Sequence, residues 1–463
     1  MELKRIKSRS RILLGVSIFM FLILVIAYAK LEWHMPTQPM FNPDIMRGRI
    51  ITEDGTILAQ SIKGENYGEY KRIYPQKTLA GQLVGVMGKD EGLAGLERFY
   101  EEELRAGQDV VVSIDPWVQN VVESQLNKYA TENMGEYGSA IVMDTHTGKL
   151  LAAATWPSFD PNKWRSYPDF QKQWRNRPFM DSYEPGSVVK ALTVASVLND
   201  GRLTPNTWFD TPMARRVGGA TIHDAVAHPP KLDTQHVLRY SSNVGISHMV
   251  ENYSDQQMHK YFSGYGLGQE VPLEGVPTED GILYNWKNWK LIQKVNMGFG
   301  QGLTTTTLQM AAAYNVIAND GRYIAPYLVT ADRVREEREV IRPETARTMR
   351  TMLRTVIEEG IFTNAGVMGY QLGGKTGTAQ VVIDGRYSKE IYNSVFAGFF
   401  PSNQPRVTMV VMVHGAKKNH HGSQLAAPIF RDVAKEMLSM WGLPPEWDVI
   451  EQQIETRNKK NNP

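Results

Sequence analysis

The stretch Tyr183-Glu-Pro-Gly-Ser-Val-Val-Lys-Ala-Leu-Thr-Val-Ala-Ser-Val-Leu198 sets a hydroxyl and an amine at the head of a helix that is apolar on nearly every side. Glu184-Pro185-Gly186 is a turn signal that ends an extended segment, and Asn199-Asp200-Gly201 is a helix stop. Val188, Val189, Leu192, Val194, Val197 and Leu198 spread around the axis, so the helix is predicted to lie at the centre of a large domain. Ser187 falls in its first turn, where free N–H groups and the helix dipole favour developing negative charge. Lys190 follows three residues on, on the same face. A serine cap before an ordinary surface lysine is the bland alternative. An ammonium on an otherwise apolar helix is costly to bury, but the same burial lowers its pKa and lets the amine act as a base.

Two further motifs follow in order. Tyr240-Ser-Ser-Asn-Val-Gly245 comes after a helical segment, Thr234 to Arg239, and by itself also reads as a polar turn between helices. Gln371-Leu-Gly-Gly-Lys-Thr-Gly-Thr-Ala-Gln-Val-Val-Ile383 reads as a strand interrupted by glycines. Glycine weakens a strand unless a bulge or a closely approaching backbone requires it, and a substrate lying along an edge strand is one such approach. Singly, S-x-x-K and S-x-N are common; the conjunction and order of S-x-x-K, S-x-N and K-T-G-T mark an acyl-transfer site built on serine and lysine.

On these motifs the chain resembles the penicillin-binding proteins, and the likeness runs from about Arg47 to Leu443. Arg47-Gly-Arg-Ile-Ile-Thr-Glu-Asp-Gly-Thr-Ile-Leu-Ala59 and Gly95-Leu-Glu-Arg-Phe-Tyr-Glu-Glu-Glu-Leu104 look like segments of the pedestal module of class B, monofunctional members. Ser113-Ile-Asp-Pro-Trp-Val-Gln119 is similar to the entry into the transpeptidase domain, and Gly298-Phe-Gly-Gln-Gly-Leu-Thr304 fits further along. The segment Phe396-Ala-Gly-Phe-Phe-Pro401 and the absence of long insertions look most like the division-type branch (FtsI, penicillin-binding protein 3).

The expected fold is α+β: a single N-terminal transmembrane helix, a small β-rich pedestal, and a transpeptidase domain of antiparallel sheet plus helical subdomain. Ile12 to Ala29 is an uncharged run of 18 residues preceded by five basic residues and one acid, which predicts a span with its N-terminus in the cytoplasm. A cleaved signal peptide ending at Ala27-Tyr-Ala29 is the competing reading. The expected divisions are 1–11 cytoplasmic, 12–29 membrane, 30–46 extended spacer with three prolines, 47–112 pedestal, 113–445 transpeptidase and 446–463 a disordered polar tail. The cytoplasmic membrane is thus the expected location, with the catalytic domain outside. Asp115-Pro116 predicts a helix start and a helix through Ala130. Ser139–Asp144 and Lys149–Thr155 predict a hairpin, helical patterns fill 187–260 and 304–360, and strands are expected at 371–383, 395–400 and 406–414 before a last helix over Ala426–Met440. Zero cysteines exclude disulfide and thiol chemistry, and a net charge of +2 gives no sign of nucleic-acid binding. Roughly 65 residues of pedestal cannot hold a glycosyltransferase domain, so the enzyme is expected to be monofunctional.

The resemblance implies a serine acyl-enzyme D,D-transpeptidase acting on peptidoglycan stem peptides and lipid-linked nascent glycan, without cofactor or metal. Catalytic roles then fall to Ser187, Lys190, Ser241, Asn243 and Lys375. Thr376, Gly377 and Thr378 would bind substrate, and the backbone N–H groups of Ser187 and Thr378 would form the oxyanion hole. β-Lactams would be covalent inhibitors; a SEDS-family membrane glycosyltransferase and other divisome membrane proteins would be partners. A lateral-wall transpeptidase, a D,D-carboxypeptidase or β-lactamase, and a non-catalytic divisome scaffold are the alternatives. His420 and His421, adjacent in a basic loop, read as solvated surface rather than metal ligands. Asp109, Asp115 and Asp144 sit at turns and read as caps.

Overall fold

The computed structural model describes residues 13–26, 46–65, 70–330 and 335–461. Residues 13–26 are helical, with their large apolar side chains exposed. Among the described residues no helix is long and apolar enough to cross a membrane. The basic segment 1–11, the ends of the expected span and the spacer up to residue 45 lie outside the described residues.

The larger body begins at Arg47. Four short strands form the pedestal sheet in the order Tyr70–Ile73, Ile57–Lys63, Ile50–Thr52, Val110–Val112, the last pair parallel. A fully buried carboxylate, Glu97, pins it by accepting Arg47 Nε at 2.9 Å and Arg72 Nε at 2.7 Å. Without both guanidiniums that buried charge would be severely destabilising. Asp109 pairs with Arg49 at 2.6 Å and so is an ion-pair partner rather than a cap.

The domain that carries the motifs is built on a five-stranded antiparallel sheet in the order Gly373–Ile383, Arg386–Phe400, Val407–His414, Tyr137–Asp144, Leu150–Trp156. Successive side chains in a strand point to opposite faces, and both faces here are apolar. Phe396, Phe400, Val411 and Val413 pack against the helices Pro116–Glu132 and Ala426–Met440. Val395, Ala397, Phe399, Val410 and Met412 join the core of the other face, which includes the helices Val189–Asn199 and Thr307–Ala318. An antiparallel sheet covered by helices on both sides therefore results. The helix Pro116–Glu132 starts as expected, with Asp115 accepting from Trp117 N and Val118 N. Asp144 likewise accepts from His146 N and Thr147 N in the hairpin turn.

Three expectations are corrected. The segment 187–260 is not helical throughout: Ala214–Val217 pairs with Ala220–His223, and Trp208–Asp210 with Lys231–Asp233. Gly218 and Gly219 both adopt positive φ (58° and 87°), so the chain reverses in two residues as a primed hairpin turn. Likewise 304–360 is broken by the ribbon Arg322–Ile324 with Glu337–Glu339. The polar tail is a helix, Trp447–Asn461. It docks through buried Val449 and through Gln453, whose side chain accepts from Gly369 N and donates to Tyr370 O, both at 2.9 Å. Two docked residues on one face outweigh a composition that averages as disordered.

Candidate active site

Pro185 and Gly186 bend the chain into a 3₁₀ turn, Gly186–Val188, from which the helix Val189–Asn199 continues. Gly186 takes φ 61° and donates its N–H to Gly300 O at 3.0 Å. That contact is close enough that a Cβ on Gly300 would lie 1.9 Å from Gly186 O. Ser187 thus belongs to the 3₁₀ turn rather than to the α-helix proper, half-buried, while Val189 to Leu198 are all buried as the apolar pattern requires.

Lys190, fully buried, donates to the carbonyl and to the hydroxyl of Ser241, the latter at 3.2 Å. Lys375, also buried, reaches the same hydroxyl at 3.0 Å and its neighbour Thr376 O at 3.2 Å. One serine oxygen is therefore held between two lysine nitrogens. Ser241 adopts φ 58°, a left-handed conformation uncommon outside glycine, and with it both its oxygens meet Lys190. Such local strain persists only where surrounding structure imposes it. Burial lowers the Lys190 pKa well below the ordinary amine value, the positive Lys375 lowers it further, and Asp224 opposes both. Burial brings Lys375 down to about 7. An amine of lowered pKa is available as a base near neutrality, where an ordinary lysine is not.

The third strand sits at the edge of the sheet, with the nucleophile turn against it. A Cβ on Gly377 would lie 2.6 Å from Pro185 O, and one on Gly186 3.4 Å from Thr378 O. Gly377 therefore has a packing reason to lack a side chain. Lys375 and Gly377 are buried whereas Thr376 and Thr378 are half-exposed, so the two threonines share the open face. Thr378 Oγ1 accepts from Gly422 N at 3.0 Å and keeps its own proton to donate. Asn243 directs its amide Nδ2 to His223 O at 2.9 Å, and Ser242 caps the helix Asn243–Glu251 by accepting from Gly245 N at 2.8 Å.

The structure thus gathers Ser187, Lys190, Ser241, Asn243, Lys375, Thr376, Gly377 and Thr378 around one edge. It adds residues that sequence reasoning passed over. The loop 415–424 closes on the Lys375 strand through Gly422, and His420 in that loop stacks on Tyr392 at 4.2 Å while its carbonyl accepts Ser394 Oγ at 2.5 Å. Glu184 accepts from Gly302 N at 2.8 Å beside the nucleophile turn. Asp224 sits under the Ser241–Asn243 turn. None of these carries a periodic or motif signal, because each meets its partner across a long loop.

Known proteins match this arrangement. The penicillin binding protein transpeptidase domain matches residues 138–435, and the penicillin binding protein A dimerisation domain matches residues 47–127. A "Probable peptidoglycan D,D-transpeptidase PenA" of Neisseria flavescens is 32% identical over 342 residues, 73% of this chain and 84% of that protein. A "Probable peptidoglycan D,D-transpeptidase PbpC" of Pseudomonas aeruginosa is 31% identical over 435 residues, 86% of this chain and 76% of that one. The crystal structure of penicillin binding protein 3 from Mycobacterium tuberculosis in complex with ampicillin superposes with a TM-score of 0.82 at 29% identity, covering 87% of this chain and 97% of that one. With the domain model matched over more than half of its length and its Ser187, Ser241 and Lys375 motifs meeting at one sheet edge, the chain belongs to the penicillin-binding protein transpeptidases.

Proposed function

We propose that this penicillin-binding transpeptidase is a class B peptidoglycan D,D-transpeptidase that works through a Ser187 acyl-enzyme and serves septal wall synthesis. The observation that carries the reading is the single Ser241 hydroxyl held between Lys190 and Lys375, both buried and both shifted toward the amine. Ser187 Oγ attacks the carbonyl between the terminal D-alanines, and Lys190 takes its proton. The carbonyl oxygen, now negative, is met by the N–H groups of Ser187 and Thr378, which in such sites contribute several kcal/mol to the transition state. The C–N bond then breaks, and the proton passes through Ser241 to the departing D-alanine amine. An amine of a neighbouring stem attacks the ester, the new C–N bond forms, and Ser187 Oγ recovers its proton. Thr376 and Thr378, on the open face of the strand, bind the terminal carboxylate, and Asn243 orients the stem peptide. β-Lactams enter the first half of this sequence and stop there.

The division role rests on the likeness of Phe396 to Pro401 to the septal branch, and the apolar run Ile12–Ala29 supports a membrane-anchored protein facing outward. A SEDS-family glycosyltransferase is the expected partner; co-purification in detergent with that run exchanged for an unrelated span reads out the contact. The catalytic test is covalent labelling of the detergent-solubilised chain with a fluorescent penicillin beside Ser187→Ala. Stable label on the wild type alone is expected. Label that vanishes within minutes would indicate a hydrolase, and absence of label on folded protein would indicate a scaffold.

A further inference from the structure

Asp224 leaves the ribbon strand Ala220–His223 and buries its carboxylate beneath the Ser241–Asn243 turn. Oδ1 accepts the backbone N–H groups of Asn243 at 2.5 Å and Val244 at 3.0 Å, and Oδ2 accepts the Ser242 hydroxyl at 2.6 Å. These are the first N–H groups of the helix Asn243–Glu251, where the dipole favours an anion. Three donors on one carboxyl group hold it ionised.

A fourth partner completes the set. His228 places Nε2 2.8 Å from Asp224 Oδ2 and Nδ1 2.8 Å from the carbonyl oxygen of Pro229, with a side chain only 1% exposed. A carboxylate and a carbonyl oxygen only accept, so both ring nitrogens must donate. The imidazolium alone does that; either neutral tautomer would set a lone pair against an oxygen. The Tyr240 ring lies 5.8 Å from the imidazole, and Tyr240 in turn carries Arg239 at 4.2 Å and His236 at 6.3 Å. His236 is itself tied to Asp233 at 2.7 Å.

We propose that His228 is a positioning residue of the acyl-transfer site: as a doubly donating cation it locks Asp224 under the Ser241–Asn243 turn and offsets the pull of that carboxylate on Lys190. The proposal rests on the base role given to Lys190 above. Lys190 is faced by Lys375 from the edge strand, by Ser241 from the turn and by the charge of Asp224, and Asp224 acts to keep it protonated. A cation against Asp224 turns that lone negative charge into a neutral pair, whose field falls off faster, and the amine form of Lys190 is favoured. His228 touches no reacting atom.

The test measures the rate of fluorescent-penicillin acylation of the full chain in detergent between about pH 6 and 9, where the base form of Lys190 sets the rising limb. His228→Gln removes the charge and keeps a donor. Its acylation should fall about tenfold near neutrality, with the rising limb displaced upward by about one pH unit and the rate regained above it. His228→Arg, a permanent cation with several donors, should restore the wild-type profile. Asp224→Asn, which removes the charge that opposes the amine, should move the limb to lower pH and carries the test if His228→Gln fails to fold. A profile for His228→Gln that superimposes on the wild type, a rate lowered equally at every pH, or no downward movement for Asp224→Asn would overturn the proposal. Wild-type protein that takes no label would instead overturn the acyl-enzyme reading itself, so the two failures are distinguishable.

Discussion

Replacing Lys375 by methionine should make the protein more stable and catalytically dead. Lys375 is buried, and burial lowers its pKa from 10.5 to about 7. A proton that binds the unfolded chain more tightly than the folded one pulls toward unfolding. Because the folded-state value is the depressed one, the full stability is present above about pH 10.5 and is lost as pH falls toward 7. At 1.36 kcal/mol for each tenfold change in affinity, the loss at pH 7 and below is about 4–5 kcal/mol. Methionine has a similar length and no charge to desolvate. It does forfeit the hydrogen bonds to Ser241 Oγ and Thr376 O, together about 2 kcal/mol. The net gain at pH 7 is therefore about 2–3 kcal/mol, or a rise in Tm of about 4–8 °C by the usual scaling for large domains. At pH 9 the wild type has recovered all but about 2 kcal/mol of the loss, and the advantage of methionine should nearly vanish. Urea denaturation followed by tryptophan fluorescence at both pH values measures this difference directly. Penicillin labelling of the same sample should be absent, because the second nitrogen on Ser241 is gone. A methionine variant less stable than the wild type at pH 7, or an advantage equal at both pH values, would refute the reasoning that Lys375 is a desolvated amine in tension with its fold.

Two other sites give sharp expectations. A Cβ on Gly422 would lie 2.2 Å from Gly377 O and 2.6 Å from Val395 O, both backbone atoms that cannot step aside. Gly422→Ala should therefore cost about 1–3 kcal/mol of stability; by pushing the loop about 1 Å off the Lys375 strand it should slow acylation by as much as a hundredfold, which stopped-flow penicillin binding would reveal. Gln453→Ala removes two hydrogen bonds to the 369–370 turn and should lower the urea midpoint by the equivalent of about 1–3 kcal/mol. Its acylation rate should match the wild type, since the C-terminal helix touches the body far from Ser187 along the chain; a large rate loss would mean the helix supports the site.

The reason the site could be read before its geometry was known lies in Lys190. A lysine within ten buried residues has few physical options: it pairs with an anion, or it surrenders its proton. That argument needs only the helix Val189–Asn199 and its apolar surround, both local properties of sequence. It could not say which atoms receive the amine, because Ser241 is 51 residues away and Lys375 lies a further 134 beyond Ser241; the K-T-G-T and S-x-N motifs supplied those partners only through the resemblance they carry. What stayed illegible shares one cause. Asp224, His228 and Gly422 act through contacts made across loops whose course depends on reversals such as Gly218-Gly219, where two residues with positive φ turn an expected helix into a ribbon. A helical period averaged over a long window cannot register a two-residue event. The carboxylate that positions the Ser241 turn is delivered by that misread ribbon, so the error in secondary structure and the omission from the site are one error. Where a buried base is legible from local pattern, the groups that set its proton affinity are to be sought in the loops whose pattern is weakest, since charges placed there escape the periodicities by which a core is recognised.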